Sequence, residues 1–486
     1  MILTKEKLFL KAQAELTQII DMVTKALGKE QRIDEMEREL FSQVQAVGRT
    51  LLEAYVVGQG DGDSGQQVQR EGQRLRRLQG RRARRYVSIF GELMIERFVY
   101  AVREGQKIEY APLDQRLGLP AGEFSYVLED WQQRLCVQQS YGEAVTSLKT
   151  LLGLAPSERA AEQMTQRVAT DAELFQLYQA PPPGQEEGEI LVVTADGKGV
   201  PMRRPLEERI RSSHPRRGKG EKANKKQMAY VGAVYSIDRF VRTAEDVLEE
   251  VARQQRAAER PSPQHKQVWA EMTRSDEGKV ATGRERVFME MAFACHTRDL
   301  QRAKTLVCLM DGEKALWDEA DQWLPRSVGI LDLFHVLERL WQAAYCFHPE
   351  RSPEAADFVS HHLRMLLEGK VGYVIGGLKR MRNRDELTGE KRRTLNAVIT
   401  YYENNRQHMQ YDEYLSAGYP IGSGVAEGAC RHLVKDRMEC TGMRWTVPGA
   451  QAMLHLRAIH INGSWNKYMN YHIEAEQARL YGHTAA

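Results

Sequence analysis

Two aspartates stand where apolar, strand-forming runs give out: ILVVTA (190–195) leads into Asp196-Gly197-Lys198-Gly199, and TLVCLM (305–310) into Asp311-Gly312. Residues at equivalent ends of neighbouring strands can converge, and two carboxylates held close together repel unless a proton or a cation lies between them. A divalent ion is the natural partner. The glycine after each acid lets backbone or substrate approach, although Asp-Gly is also the commonest turn dipeptide, and for either aspartate alone a turn is the simpler reading. A third acid, Glu427, lies in YPIGSGVAEGACRHLVKDRM (419–438). Gly422-Ser423-Gly424 reads as a tight turn with Ser423 as N-cap, which puts Glu427 in the first turns of a helix, on one face with Arg431 and Lys435. Taken alone, that is also an ordinary surface Glu-Arg pair.

The elements that must hold these acids can be read from hydrophobic pattern. Strands are expected at 190–195, 228–237, 240–246, 305–310 and 328–334: a hairpin set first, then strands alternating with helices, which describes an α/β domain with a mixed sheet. PPPGQEEGE (181–189) is a linker ahead of it, and 349–418 is a strand-poor, helical insertion. Residues 189–348 and 419–486 are then the two parts of the core. Residues 1–57 read as helices, with Ile33, Met36, Leu40, Val44, Val47 and Leu51 forming one apolar stripe that packs within its own domain or forms a dimer. A glycine-rich linker and an arginine-rich segment fill 58–85. From 86 to 180 come a small β meander and helices, of which 142–152 and 158–168 form a helix, turn, helix pair; DNA-binding and plain helical packing share that pattern.

A length of 486 residues with 42% hydrophobic and 28% charged content fits a multidomain globular protein, not a disordered chain. No apolar run is long enough to span a bilayer, and the charged N-terminal stretch lacks a signal-peptide pattern, so a cytoplasmic, unprocessed protein without a membrane partner is expected. The six cysteines contain no C-x-x-C pair, which speaks against a zinc ribbon or a disulfide framework. A formal net charge of +3 hides strong local segregation. RLRRLQGRRARR (74–85) has seven arginines, Arg74, Arg76, Arg77, Arg81, Arg82, Arg84 and Arg85, and 203–226 has ten Lys or Arg, among them Arg216, Arg217, Lys219, Lys225 and Lys226. Acids in the same runs do not balance them, so contact with a phosphate backbone is expected. Arg431, Lys435 and Arg444 are further candidates, and Trp445 could stack on an unpaired base or be buried.

Together VVTADGKG, LVCLMDG and YPIGSGVAEGACRHLVKDRM resemble the acidic blocks of DDE insertion-sequence transposases with a ribonuclease H-like core. PLDQRLGLP (112–120), SYGEAVTSLKTLLG (140–153), DGKGVPM and GMRW (442–445) are similar, in that order, to the Kra group of bacterial insertion sequences. The resemblance implies a ribonuclease H-like mixed sheet with a helical insertion, behind a mainly helical N-terminal region containing the meander. It implies that Asp196, Asp311 and Glu427 are catalytic acids holding two Mg2+ (or Mn2+) ions; if Glu427 points away from the aspartates, that assignment fails and Asp332 or Glu313 is the better candidate. It matches Asp332-Leu333-Phe334-His335 to a D-x-x-H at which His335 touches substrate; a histidine packing at a helix start is the plainer account. The paired cysteines that related meanders carry are absent here, so no N-terminal zinc is expected. The function so implied is cleavage of terminal inverted repeats and their joining to target DNA by a homodimer or higher oligomer, in a bacterial cytoplasm and on the nucleoid. A non-catalytic DNA-binding protein and a nuclease without strand transfer are the alternatives.

Overall fold

The computed structural model describes residues 4–70, 72–203, 226–252, 260–276, 279–422 and 424–482. The chain divides into two compact units: Met1–Asp171 with Trp465–Ala486, and Ala172–Ser464.

The first unit opens with a two-helix hairpin, α1 (Lys5–Ala26) and α2 (Ile33–Gly58), with Lys5 lying against Gly58. Leu8, Ala12 and Ile19 of α1 are buried, as are Thr50 and Ala54 of α2. The single stripe expected on α2 is two seams: Met36, Leu40 and Val47 are partly buried, whereas Ile33, Val44 and Leu51 are exposed. A period near 3.6 places apolar residues on a helix but does not say which of two adjacent faces is covered.

The segment expected to be linker carries structure. β1 (Gln67–Arg70) and β2 (Gln73–Arg77) form an antiparallel hairpin, and β2 also pairs with β5 (Tyr100–Ala101). β3 (Arg82–Ser88) and β4 (Gly91–Arg97) form a second, two-stranded hairpin; the meander expected over 86–110 is not completed, because β5 pairs with β2 and not with β4. The helices Tyr141–Leu152 and Glu158–Val168 follow, the first closed by Gly153 at φ 72° and both capped by serines, Ser140 and Ser157. The last helix, Trp465–Tyr481, belongs to this unit although the sequence reading grouped it with the core. Its Tyr468 hydroxyl donates to the Val168 carbonyl, and His472 and Arg479 hold Asp171.

The second unit is built on a mixed five-stranded sheet in the order β12-β11-β6-β7-β8, with β6 (Ile190–Pro201), β7 (Lys226–Ile237), β8 (Gln264–Met272), β11 (Thr305–Met310) and β12 (Val328–Leu331). β6, β7 and β8 are antiparallel neighbours, while β11 and β12 run parallel to β6. A small hairpin of β9 (Arg274–Asp276) and β10 (Lys279–Ala281) follows β8. The strand expected at 240–246 is instead the start of a helix, Ala244–Val251. Thr243 and Asp246 form a reciprocal capping box there, and that local bonding outweighs the β propensity of Phe240 and Val241. The third strand is β8, which the sequence reading passed over.

Both sheet edges are closed by side chains. Gln451 and Asn462 bond the free backbone of β8 at Ala270, Met272 and Val268. On the opposite edge the Tyr411 and Tyr414 hydroxyls donate to the Leu331 and Gly329 carbonyls of β12. Such caps remove the unpaired groups that make an edge strand adhesive. The expected insertion is helical, with Pro353–Leu367, Val371–Arg384, Gly389–Asn404 and Tyr411–Ser416, and it shares one continuous apolar core with the sheet. Among the described residues no helix is long and apolar enough to cross a membrane.

Candidate acidic site on the central sheet

The parallel registers bring the aspartates level. Ile190 to Val193 of β6 lie opposite Thr305 to Cys308 of β11, so three further residues on each strand lead to Asp196 and Asp311. Met310 lies opposite Leu331, and one further step leads to Asp311 and Asp332. The backbone positions of Asp196, Asp311 and Asp332 are thus level across three neighbouring strands, Asp311 and Asp332 one residue past their strand ends, with about 4.8 Å between strands. The positions differ in one respect from expectation. Asp196-Gly197 is not a turn: β6 continues to Pro201, with Asp196 opposite Val231 of β7, so the aspartate sits where β6 outruns β11. Asp311 does begin a turn, its Oδ1 accepting the Glu313 amide at 3.0 Å.

Glycine is required after Asp311 by packing. A Cβ on Gly312 would run into the Tyr401 ring of the Gly389–Asn404 helix and lie 2.7 Å from Nδ2 of Asn405, the C-cap of that helix. The insertion therefore presses directly on the loop that carries the acid. Gly197 is similarly crowded, with Met228 Cε 2.8 Å from the position of a Cβ.

The electrostatics are those of crowded like charges. Asp311 is held above the usual carboxylate range, first by burial and then by Asp196 and Asp332, against the Glu313 amide and His335. Glu313 is raised as well, by burial, Asp311 and Asp196, with Arg284 opposing. Asp332 is fully buried and does two structural jobs: its Oδ1 accepts the Phe334 amide at 3.1 Å, capping the Leu333–Phe347 helix, and its Oδ2 lies 2.9 Å from His335 Nδ1. That bond is the main cause of a raised His335, with Asp311 and Asp196 adding to it.

The helix expected around Glu427 is present as Gly424–Cys430, and it runs directly into a π turn, Arg431–Lys435. Single π turns of this kind recur at functional sites. The Leu333 amide donates to the Ile421 carbonyl at 2.9 Å, tying the approach to this helix to the end of β12. Cys430 then reaches the acids. Burial, followed by the Asp196 carboxylate to which the thiol is hydrogen-bonded, pushes Cys430 far above the usual thiol range, with Lys198 opposing. Glu427 lies one turn earlier, about 60° round the axis from Cys430. Its side chain, like the proposed cap Ser423, is outside the described residues.

Cations frame the group. Lys198 stands two residues beyond Asp196 on the same face of β6. Arg284 stacks on Tyr230 at 5.6 Å and pairs with Glu319 at 3.1 Å, and Arg339 stacks on Tyr401 at 5.1 Å. Sequence reasoning missed Cys430, Lys198, Tyr401 and Arg339; the first two had a signal in their spacing from Glu427 and Asp196, and the other two had none. Among the described residues no three His, Cys, Asp or Glu side chains form a group that could hold a metal ion.

The basic segments differ from expectation. Five arginines of 74–85 meet acids brought from elsewhere in the chain: Arg77 pairs with Asp63, Arg81 with Asp61, Arg82 with Glu104 at 3.2 Å, Arg84 with Asp114 at 2.6 Å, and Arg85 with Glu123 at 2.7 Å and Glu92 at 2.9 Å. The local imbalance seen in sequence is therefore offset in space, while Arg74 and Arg76 are exposed on β2. Lys226 pairs with Glu439. Arg216, Arg217, Lys219 and Lys225 lie outside the described residues. Arg431, Lys435 and Arg444 are exposed. Trp445 is buried: its indole N–H donates to the Met438 carbonyl at 3.0 Å, its backbone bonds Pro201 and Arg203, and Arg437 covers its ring, so stacking on a base is ruled out in this conformation. No protein-family model matches the chain, and a search of curated proteins finds no match.

Proposed function

We propose that the chain is a metal-dependent DNA strand transferase, a DDE transposase whose second unit is a ribonuclease H-like core. The observation that carries this reading is the levelling of Asp196 and Asp311 on adjacent parallel strands, with Cys430 of the Glu427 helix hydrogen-bonded to Asp196. The sheet supports the fold assignment: three antiparallel strands come first in sequence, and two parallel strands are then added to the side of the first.

The donor chemistry fits a hard divalent cation. Carboxylate oxygens are the ligands that Mg2+ and Mn2+ prefer, and the mutual elevation of Asp311 and Glu313 is a repulsion that a cation relieves. Asp196, Asp311 and Glu427 would hold the ions, which when bound would supply nucleophile activation and neutralise the leaving oxygen of an in-line phosphoryl transfer. The protein's own groups do the positioning. The Cys430 thiol, donating to Asp196, fixes that carboxylate. Asp332 holds His335 through Nδ1 and favours its charged form, leaving Nε2 as the ring nitrogen for a DNA phosphate. Lys198, Arg284 and Arg339 offer further positive charge. The Gly389–Asn404 helix and its cap, through Tyr401 and Asn405, fix the Asp311 loop.

The test is an incubation of the purified chain with Mg2+, a duplex carrying the terminal repeats of its own element and a supercoiled target plasmid. Joined product is expected from the wild type, and Asp311→Ala should retain DNA affinity while losing both cleavage and joining. Cleavage without joining would reassign the chain as a nuclease. Specific binding with neither reaction, unchanged by the substitution, would make it a DNA-binding protein.

A further inference from the structure

Among the described residues the N-terminal hairpin has an apolar face whose large side chains are exposed, with only Phe90 of the β3–β4 turn lying over it, at Gly48. On α2, Phe41, Val44, Leu51 and Tyr55 recur at heptad steps with Glu37 and Gly48 in the intervening positions, Ile33 lies one turn before Glu37, and all five apolar residues are exposed, Ile33 at 82%. Gly48 does not break the surface. The Phe90 ring lies 2.6 Å from the position a Cβ would take there and is itself partly exposed. On α1, Phe9, Leu16 and Ile20 form the matching exposed row, with Leu27 exposed just beyond the helix end.

The two rows lie on one side of the hairpin. Each is displaced by a single residue step, about 100°, from the inner seam of its own helix, and in helices running antiparallel the same step turns both rows toward the same side. A half-exposed large apolar side chain still presents roughly 80–100 Å2, so the face offers about 800 Å2, the amount each partner buries in a standard stable interface. Heptad spacing on both helices is the requirement for knobs-into-holes packing against two more helices.

Charge at the two ends of this face selects the partner. Lys5 occupies the position one turn before Phe9, and Glu37 lies between Ile33 and Phe41; both are exposed. Because α1 and α2 are antiparallel, Lys5 marks one end of the face and Glu37 the other. A second hairpin laid antiparallel by a two-fold axis puts each Lys5 at the same end of the bundle as the other copy's Glu37, whereas a parallel arrangement gathers like charges at each end. We propose that a second copy of this chain occupies the face, forming an antiparallel four-helix bundle between α1–α2 hairpins.

Sedimentation equilibrium of the full chain tests this directly. The wild type should be a dimer at tens of micromolar, and Ile20→Asp combined with Phe41→Asp should give a monomer with an unchanged helical circular dichroism, since both positions are exposed. A monomeric wild type, or a dimer that survives these changes, overturns the proposal. Charge swaps keep it falsifiable should that variant fold poorly. Lys5→Glu alone and Glu37→Lys alone should each weaken dimerisation by about tenfold, since two pairs are reversed per dimer, and the two together should restore it. Neutral single swaps, or no restoration, would overturn the antiparallel arrangement.

Discussion

Asp311→Asn should stabilise the metal-free protein while abolishing its response to metal. Asn keeps the Oδ1 acceptor that binds the Glu313 amide, and it removes one of the charges that raise Asp311 and Glu313. At about 5 Å, the spacing of adjacent strands, and an effective dielectric of about 20 to 40, one carboxylate pair costs about 2–3 kcal/mol. The repulsion from Asp332 is offset by His335 on the other side of it, so about 2 kcal/mol from the Asp196 pair is the net gain. For a unit of this size that corresponds to a rise of about 4 °C in Tm. Differential scanning calorimetry in EDTA, following the transition of the Ala172–Ser464 unit, should show the rise; added Mg2+ should then stabilise the wild type and leave the variant unmoved. A variant that is less stable than wild type without metal, or that keeps the full metal-induced shift, would refute the reasoning, because a purely structural aspartate loses stability when neutralised.

Gly312→Ala should cost about 1–3 kcal/mol and reduce activity, because the new methyl collides with Tyr401 and must displace the helix that fixes the Asp311 loop; a variant of wild-type stability would show that contact to be loose. Arg84→Ala should destabilise the first unit by about 2–4 kcal/mol in urea unfolding, since Arg84 is mostly buried and joins Asp114 to the Gly122 carbonyl. Removing Arg74 and Arg76 together should instead leave stability within about 0.5 kcal/mol and lower the salt slope of DNA affinity by about two. An unchanged slope would make them solvated charges. At Asp171 burial raises the carboxyl, but His472 and Arg479 outweigh it and bring it down to about 2 from 3.8. An acid lowered on folding stabilises above its unfolded value, so about 2 kcal/mol should be present at pH 5 and lost as the pH falls toward 2; the stability gap between wild type and Asp171→Asn should close over that range.

The parts of the sheet legible in sequence were the strands buried on both faces. ILVVTA, TLVCLM and the apolar centre of β7 are continuous apolar runs, and no helix-length periodicity competes with them. β8 begins Gln-His-Lys-Gln and becomes apolar only at Val268, so half its length looks like loop. Asp196 and Asp311 could be nominated from their places after apolar runs, but their levelling depends on a register between strands that no local pattern encodes. Cys430 escaped notice because a lone thiol reads as core, and its bond to Asp196 exists only once the helix lies on β6. The charge balance around the arginines of 74–85 was hidden for the converse reason. Their balancing acids, Asp61, Asp63, Glu104, Asp114 and Glu123, are neighbours in space and not in the run itself.

The central claim is that Asp196, Asp311 and Glu427 hold divalent ions against a DNA phosphate, and the most direct measurement is metal rescue at that phosphate. The terminal-repeat duplex is made with a single non-bridging oxygen of the scissile phosphate replaced by sulfur, and the single-turnover cleavage rate is compared in Mg2+ and Mn2+. The account predicts a large loss of rate in Mg2+, recovery in Mn2+ because the softer ion accepts sulfur, and no recovery in Asp311→Asn or Glu427→Gln. Cleavage that persists in EDTA, or a sulfur effect that is the same in both ions, would contradict it.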